Sequence, residues 1–429
     1  MSFLVALILT VIPDFSMPLE YKRLDNGLEV VVLEDHTVPL VTVQVWYKVG
    51  SKYERYGKTG ISHMLEHMMF KGTKNLPPGE YHKFIRSVGG TENAFTSKER
   101  TVYWSVVPSK YLEKILEIES DRMVNCVFND FESEKNVVAE ERRWSRENSP
   151  MGRLWDSFYA TLFMSHPYHH PIIGWMSDIE NFSLDDVKKH YERYYAPDNA
   201  LLVVVGDVKS EDVFKLAKKY FGRIKKRSNP TEVISKEPDW NETRTLNLTG
   251  ENYPRVLMVG YAVPGYKHAD YPALEILSII LGEGLSSRLE DILVDKGIAT
   301  RAGSWLSSMH DYSVFAIQAY PSPGIKHDSL LRVIDEEIER IKREGVTEEE
   351  LGRALRLVYA NLVISGQSLY RRGLTIGNFY IVADDPLGVN HYFERLKGVK
   401  LEDIKRVASK YLLSTKRVIA FMDTKKESE

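Results

Sequence analysis

Two histidines and a glutamate, set within five residues of one another, form the clearest chemical pattern in this sequence. His63 and His67 are four residues apart in the stretch TGISHMLEHMMFKG, and Glu66 lies between them. We expect this stretch to be a helix that Thr59 caps and Gly72 ends. Both imidazoles then project from one face, where one metal ion can bind both, and Glu66 can reach a metal-bound water. The order H-x-x-E-H is the inverse of the H-E-x-x-H zinc pattern.

A catalytic zinc also needs a third protein ligand and an open position for water. A helix predicted over residues 131–143 offers Glu134 and Glu141, which are two helical turns apart and therefore share one face. One of them would bind the metal while the other orients a ligand around it. The spacing alone leaves Glu140 open as the ligand.

Length and composition set limits on what positions these groups. A chain of 429 residues fits two domains better than one, and 43% hydrophobic residues are enough for packed cores. The formal charge of −3 gives no electrostatic footprint for binding nucleic acid. Cys126 is the only cysteine, so the chain has no internal disulfide and no thiolate cluster for a metal. Its apolar helical surroundings predict a buried structural role.

An internal repeat indicates that the two domains arose by duplication. The segments that begin at Leu184 and at Leu401 both have the pattern of a helix followed by a buried strand, and Leu201 matches Val418 at the same offset of 217 residues. The offset matches the two motif histidines to Ile280 and to a glycine. The second copy therefore carries no metal motif.

The resulting domain prediction has four parts. Residues 18–225 form a zinc-binding catalytic domain, the polar stretch 226–244 is a linker, and residues 245–429 form a homologous inactive domain. Residues 1–17 are either a signal segment or a mis-assigned start, with Met17 as the true first residue. The apolar run within them is too short to span a bilayer, so we expect no stable membrane span. The pattern slightly favours export, periplasmic or extracellular, over a cytoplasmic location.

The sequence resembles the pitrilysin (inverzincin) family of zinc peptidases, in the branch similar to mitochondrial processing peptidase. The resemblance covers nearly the whole chain and rests on these segments: NGLEVVV, VGSKYE, GISHMLEHMMFKGT, GGTENAFTSKERTVYW, EKNVVAEE, HPY followed by PIIG, and LGEGLSSRL. It implies that His63, His67 and Glu141 bind one zinc ion. It also implies that Glu66 is the catalytic base and that Glu134 assists the site.

The resemblance implies an α+β fold of two homologous domains, each an antiparallel-dominated sheet flanked by helices, that enclose a cleft. The implied activity is that of a zinc-dependent endopeptidase acting on peptides or extended segments of precursor proteins. One alternative is a non-catalytic assembly subunit similar to the core proteins of respiratory complexes, which usually lack part of the metal set. The other is a zinc-binding, chaperone-like module that holds peptides without cutting them.

The resemblance also suggests how substrate is held. Asn93 and Ala94 match residues on an edge strand that pairs with the substrate backbone. Arg288 matches an arginine that lines the substrate cleft, where the family pairs it with a tyrosine. Here Thr300 replaces that tyrosine. We therefore expect a homodimer, or a heterodimer with a related subunit that carries the Arg/Tyr pair.

A second group of histidines, His166, His169 and His170, does not predict a second metal site. These residues lie among Pro167 and Pro171 in a segment that matches a structural element of the family. We expect them to have structural roles.

Overall fold

A computed structural model of the protein describes residue 13, residues 15–227 and residues 234–425. The apolar run at residues 3–12 lies outside the described residues, so the predictions of a signal segment and of an alternative start stay predictions. No helix in the described ranges is both long and apolar enough to cross a membrane.

Six strands form the first sheet: β1 Leu19–Arg23, β2 Glu29–Glu34, β3 Leu40–Tyr47, β4 Thr91–Thr96, β5 Thr101–Pro108 and β6 Ala200–Gly206. Their order is β1-β2-β6-β3-β5-β4, and only the pair β2–β6 is parallel. Every residue of β6 is buried, as expected for a central strand that is covered on both faces. By contrast, β4 lies at the edge of the sheet.

Five strands form the second sheet: β7 Thr243–Gly250, β8 Val256–Pro264, β9 Ala299–Leu306, β10 Tyr312–Pro321 and β11 Arg417–Thr424. Their order is β7-β11-β8-β10-β9, and only β7–β11 is parallel. This is the order of the first sheet without β1. The predicted fold class, two related α+β domains with antiparallel-dominated sheets, is confirmed.

Helices flank both sheets. In chain order they are α1 Ile61–Met68, α2 Glu80–Ser87, α3 Leu112–Asn125, α4 Phe131–Arg142, α5 Pro150–Leu162, α6 Met176–Glu180, α7 Leu184–Tyr194, α8 Ser210–Phe221, α9 Tyr271–Gly282, α10 His327–Glu344, α11 Glu348–Ser365, α12 Leu369–Ala383, α13 Gly388–Lys397 and α14 Leu401–Tyr411. The helices α7 and α14 carry the sequence repeat, and the strands that follow them are β6 and β11. These two strands are each second in the order that the two sheets share, which is β2-β6-β3-β5-β4 in the first sheet and β7-β11-β8-β10-β9 in the second.

Each half of the chain also covers one face of the other half's sheet. Phe158 of α5 packs on β8, where a Cβ atom at Gly260 would lie 2.1 Å from its ring. In the reverse direction, α12 packs on the first sheet, where a Cβ atom at Gly377 would lie 2.2 Å from the ring of Trp46. Both glycines are needed for this close approach. Because α5 and α12 each pack on the sheet of the other half, these two helices hold the halves together.

Candidate metal centre

The helix that carries the motif, α1, is held at its start by a carboxylate from the segment that precedes it. Glu54 accepts hydrogen bonds from the backbone N–H groups of Gly60, at 2.7 Å, and Ser62, at 2.8 Å. Burial raises the pKa of Glu54 to about 8 in spite of these bonds. The prediction that Thr59 caps α1 is wrong, because its hydroxyl donates to Asp178 instead, at 2.6 Å. Glu54 fills that role and fixes the start of the helix.

Three side chains converge on one point. Nε2 of His63 lies 3.6 Å from Oε1 of Glu141, and Nε2 of His67 lies 3.4 Å from Oε2 of the same glutamate. One ligand atom from each residue lies within 4.8 Å of the others. Zinc in tetrahedral coordination separates its nitrogen and oxygen ligands by about 3.3–3.6 Å. The three residues therefore fit a zinc ion and leave its fourth position for water.

Glu140, the alternative ligand, faces away from the histidines. Its carboxylate is exposed and pairs with Arg143 on the next turn. Glu141 is the glutamate of α4 that faces both imidazoles.

The helix α1 ends at Met68, earlier than predicted, and Gly72 follows it with a left-handed φ of 94°.

Glu134 contacts His67, one of the three candidate ligands. Its Oε1 lies 2.8 Å from Nδ1 of His67, and its other oxygen pairs with the ammonium of Lys71. Burial raises the pKa of Glu134, but the bonds from Lys71 and His67 outweigh burial and hold it below its usual range. A carboxylate at Nδ1 keeps the proton on that nitrogen, so that Nε2 presents its lone pair to a metal.

Glu66 lies beside the three ligands and is only 9% exposed. Its Oε2 accepts a hydrogen bond of 2.6 Å from the hydroxyl of Thr96, at the end of β4. Burial raises the pKa of Glu66 to about 7 against the opposing effect of this bond, and a bound cation would lower it again. A carboxylate in this range can both accept and return a proton near neutral pH.

Asn93 and Ala94 lie on the free edge of the first sheet. Their strand β4 pairs with β5 on one side and has no strand of the sheet on the other. The backbone N–H of Ala94 is bound by the side chain of Asn93 at 2.8 Å, rather than by a neighbouring strand. Such an edge can accept another strand. Because Thr96 of the same strand contacts Glu66, the edge runs alongside the metal centre.

Arg288, which the family resemblance places in the substrate cleft, is engaged by two glutamates of the second half. Its guanidinium is bound by Glu350, at 2.6 and 2.8 Å, and by Glu337, at 2.9 Å, so it joins α10 to the start of α11. A guanidinium used in this way is not a free donor for substrate. Thr300 is exposed at the start of β9, which is the edge strand of the second sheet.

The second group of histidines has separate partners. His166 contacts Asp311 at 3.2 Å, His169 contacts a backbone carbonyl, and His170 is buried. Among residues 15–227 and 234–425, the motif site is the only group of three or more candidate ligands close enough to share an ion. Cys126 is buried as predicted, and burial raises its pKa to about 12.

The fold and the site together define a two-domain protein with an inverted H-x-x-E-H metal site. Residues 29–174 match the family model described as Insulinase (Peptidase family M16), and residues 181–358 match the Peptidase M16 inactive domain. The chain is 39% identical over 413 residues to the zinc protease PqqE of Helicobacter pylori, covering 94% of this chain and 92% of that protein. The chain belongs to peptidase family M16, which confirms the family resemblance inferred from its motifs.

Other relatives and structures agree. The uncharacterized zinc protease YmxG of Bacillus subtilis is 29% identical over 387 residues, which are 89% of this chain and 93% of that protein. A crystal structure of a protease from Helicobacter pylori superposes with a TM-score of 0.89 at 38% identity, covering 95% of this chain and all of the other. A chain of complex III from Candida albicans shares the fold alone, with a TM-score of 0.80 at 16% identity, covering 94% of this chain and 95% of that one.

Proposed function

We propose that this protein is a zinc-dependent endopeptidase that hydrolyses peptides or extended segments of precursor proteins. The proposal rests on one observation above all: His63, His67 and Glu141 converge at ligand distance with Glu66 buried beside them. The names of the relatives, which are called zinc proteases, support it.

The residues of the chain divide the chemistry between them. His63, His67 and Glu141 would hold the zinc, which would lower the pKa of a bound water and polarise the scissile carbonyl. Glu66 accepts the proton of the attacking water and passes it to the departing amine. Oε2 of Glu66 already accepts a hydrogen bond from the Thr96 hydroxyl, so Oε1 is the oxygen that this hydroxyl leaves free to face the attacking water.

The substrate binds in extended form along β4. Main-chain hydrogen bonds to the free edge at Asn93 and Ala94 give affinity for a peptide of varied sequence, because the backbone groups are common to all peptides. The Asn93 side chain, which now binds the Ala94 N–H, gives up that contact when the peptide arrives.

The alternative is a non-catalytic subunit that assembles with other chains or holds them. The fold that this chain shares with a chain of complex III is the reason to consider it. The complete set of two histidines and two glutamates argues against it. A quenched-peptide library separates the two functions: we expect cleavage that a chelator abolishes and added zinc restores. Binding of peptides without cleavage, by protein with one zinc per chain, would favour the alternative.

We further propose that full activity requires a dimer. Arg288 is held by Glu337 and Glu350, and Thr300 is too short to replace a tyrosine, so this chain lacks a free Arg/Tyr pair. A related subunit that carries the pair would supply these substrate contacts, whereas a second copy of this chain, which also has Thr300, would have to supply them through other residues. Light scattering on the active fraction tests this proposal: activity confined to a monomer would exclude it.

A further inference from the structure

A cavity of about 390 Å³ lies between the two halves of the chain, beside the metal centre. Residues 97–100, which connect β4 to β5, line one wall, α5 lines another, and Ser308 and Met309 of the second half close it. Its volume lies within the range of about 300–1,000 Å³ that is usual for ligand pockets.

The cavity adjoins the groups proposed for catalysis. Ser97 directly follows Thr96, whose hydroxyl binds Glu66. On the opposite wall, Arg146 lies within electrostatic reach of His63 and Glu141. The cavity therefore lies next to the end of β4, within reach of a peptide that is paired with this strand.

Two cations in the cavity wall lack a carboxylate partner. Lys98 is 8% exposed, and its ammonium donates to the carbonyl of His170 at 2.9 Å. The guanidinium of Arg100 faces the ring of Trp46 at 5.9 Å, and its buried Nε has no hydrogen-bond partner. Within the described part of the chain, neither cation has a carboxylate oxygen at ion-pair distance. Burying a cation without a direct ion pair is costly, and burial lowers the pKa of Lys98 to about 7 although the more distant charges of Asp156 and Glu54 act to raise it.

The acidic groups in the cavity wall are already engaged. Asp156 lies 2.8 Å from Arg142 and 3.6 Å from Arg146. Glu99 lies 3.1 Å from Lys52 and also accepts the backbone N–H of His310. Of the three cations in the cavity wall, Arg146 faces Asp156, whereas Lys98 and Arg100 are left to bind an incoming anion.

We propose that this cavity is a carboxylate subsite of the peptidase, in which Lys98 and Arg100 bind an acidic side chain or the free C-terminal carboxylate of the substrate. The inference rests on the proposed function, because the peptide must lie along β4 to reach the cavity. Charge-assisted hydrogen bonds from the two cations then favour a carboxylate over its neutral amide.

The test measures binding separately from cleavage. Labelled peptides that differ only in Glu against Gln at one scanned position, or in a free against an amidated C-terminus, are titrated into zinc-loaded Glu66→Gln protein by fluorescence anisotropy. The two peptide series distinguish a side-chain carboxylate from a terminal one. We expect one carboxylate form to bind roughly tenfold or more tightly than its amide.

In the same background, Arg100→Gln and Lys98→Gln should each reduce this preference toward unity. Arg100→Lys should retain part of it, because the charge stays. Arg86→Gln, a change at an exposed arginine of α2, is the matched control and should leave the preference intact. Circular dichroism establishes that each variant is folded.

Two results would overturn the subsite: equal affinity for every acid and its amide, or a preference that survives both glutamine variants. Failure of the proposed function looks different, because it appears as absence of cleavage by wild-type protein whatever the binding preference.

Discussion

Oε1 of Glu134 lies 2.8 Å from Nδ1 of His67, and the other carboxylate oxygen of Glu134 pairs with Lys71. One carboxylate thus connects a metal-binding imidazole to a cation on the far side. The contact fixes the ring of His67 and the nitrogen that carries its proton. We therefore expect the affinity for zinc to depend on Glu134, which is not one of the proposed ligands.

The first prediction follows from this contact. Glu134→Gln keeps a hydrogen-bond acceptor but loses the charge that His67 and Lys71 share. We expect zinc affinity to fall by about 10–100-fold, measured by competition with a chromogenic chelator. Glu132→Gln, on the same helix at an exposed position, is the control. Equal affinities in the two variants would mean that Glu134 does not orient His67.

The second prediction separates two adjacent glutamates. Glu141→Gln removes a ligand charge, so the purified protein should lose most of its zinc on dialysis. Glu140→Gln should retain about as much zinc as wild type, because Glu140 faces Arg143. Metal analysis of both variants decides the assignment, and zinc loss confined to Glu140→Gln would reverse it.

The third prediction concerns the contact between β4 and the base. Thr96→Val keeps the shape of the side chain but removes the hydrogen bond to Glu66. We expect kcat to fall about tenfold, for a lost bond of about 1–1.5 kcal/mol, with zinc content unchanged. Thr91→Val, at the exposed far end of the same strand, should behave like wild type. An unchanged kcat in Thr96→Val would show that the hydrogen bond from Thr96 to Glu66 does not contribute to turnover.

The fourth prediction tests how closely α12 packs on the first sheet. Gly377→Ala places a methyl group against the ring of Trp46, so the free energy of unfolding should fall by about 1–3 kcal/mol. Gly398→Ala, where the nearest atom would be 3.5 Å away, is the control and should be close to neutral. Urea unfolding measures both. Similar stability in the two variants would show that α12 does not pack closely on the first sheet.

The sequence predicts which three side chains converge at the candidate site, but it does not predict the groups that surround them. Helical spacing alone identifies His63, Glu66 and His67, because the three residues lie on one short element. The choice of Glu141 over Glu140 required the family resemblance, since adjacent residues on a helix differ only in direction. Thr96 lies on β4, with α2 between it and the motif helix, and no periodic signal pairs it with Glu66.

Other features depended on tertiary contacts that no local pattern reveals. Glu54 replaces Thr59 as the group that binds the start of α1, and this follows only from how the preceding loop folds back. Arg288 matched a family motif, yet Glu337 and Glu350 from two later helices engage it. The constant repeat offset also fails around the motif, because the connection from β8 to α9 is shorter than that from β3 to α1.

Zinc content and turnover of Glu66→Gln test directly whether Glu66 is the general base of a zinc peptidase. Because Glu66 takes a proton and does not bind the metal, the variant should keep about one zinc per chain. Its turnover of a quenched peptide should fall by about 10²–10⁴-fold, because the general base is lost. If fully metallated Glu66→Gln cleaved the peptide at the wild-type rate, Glu66 would not be the general base.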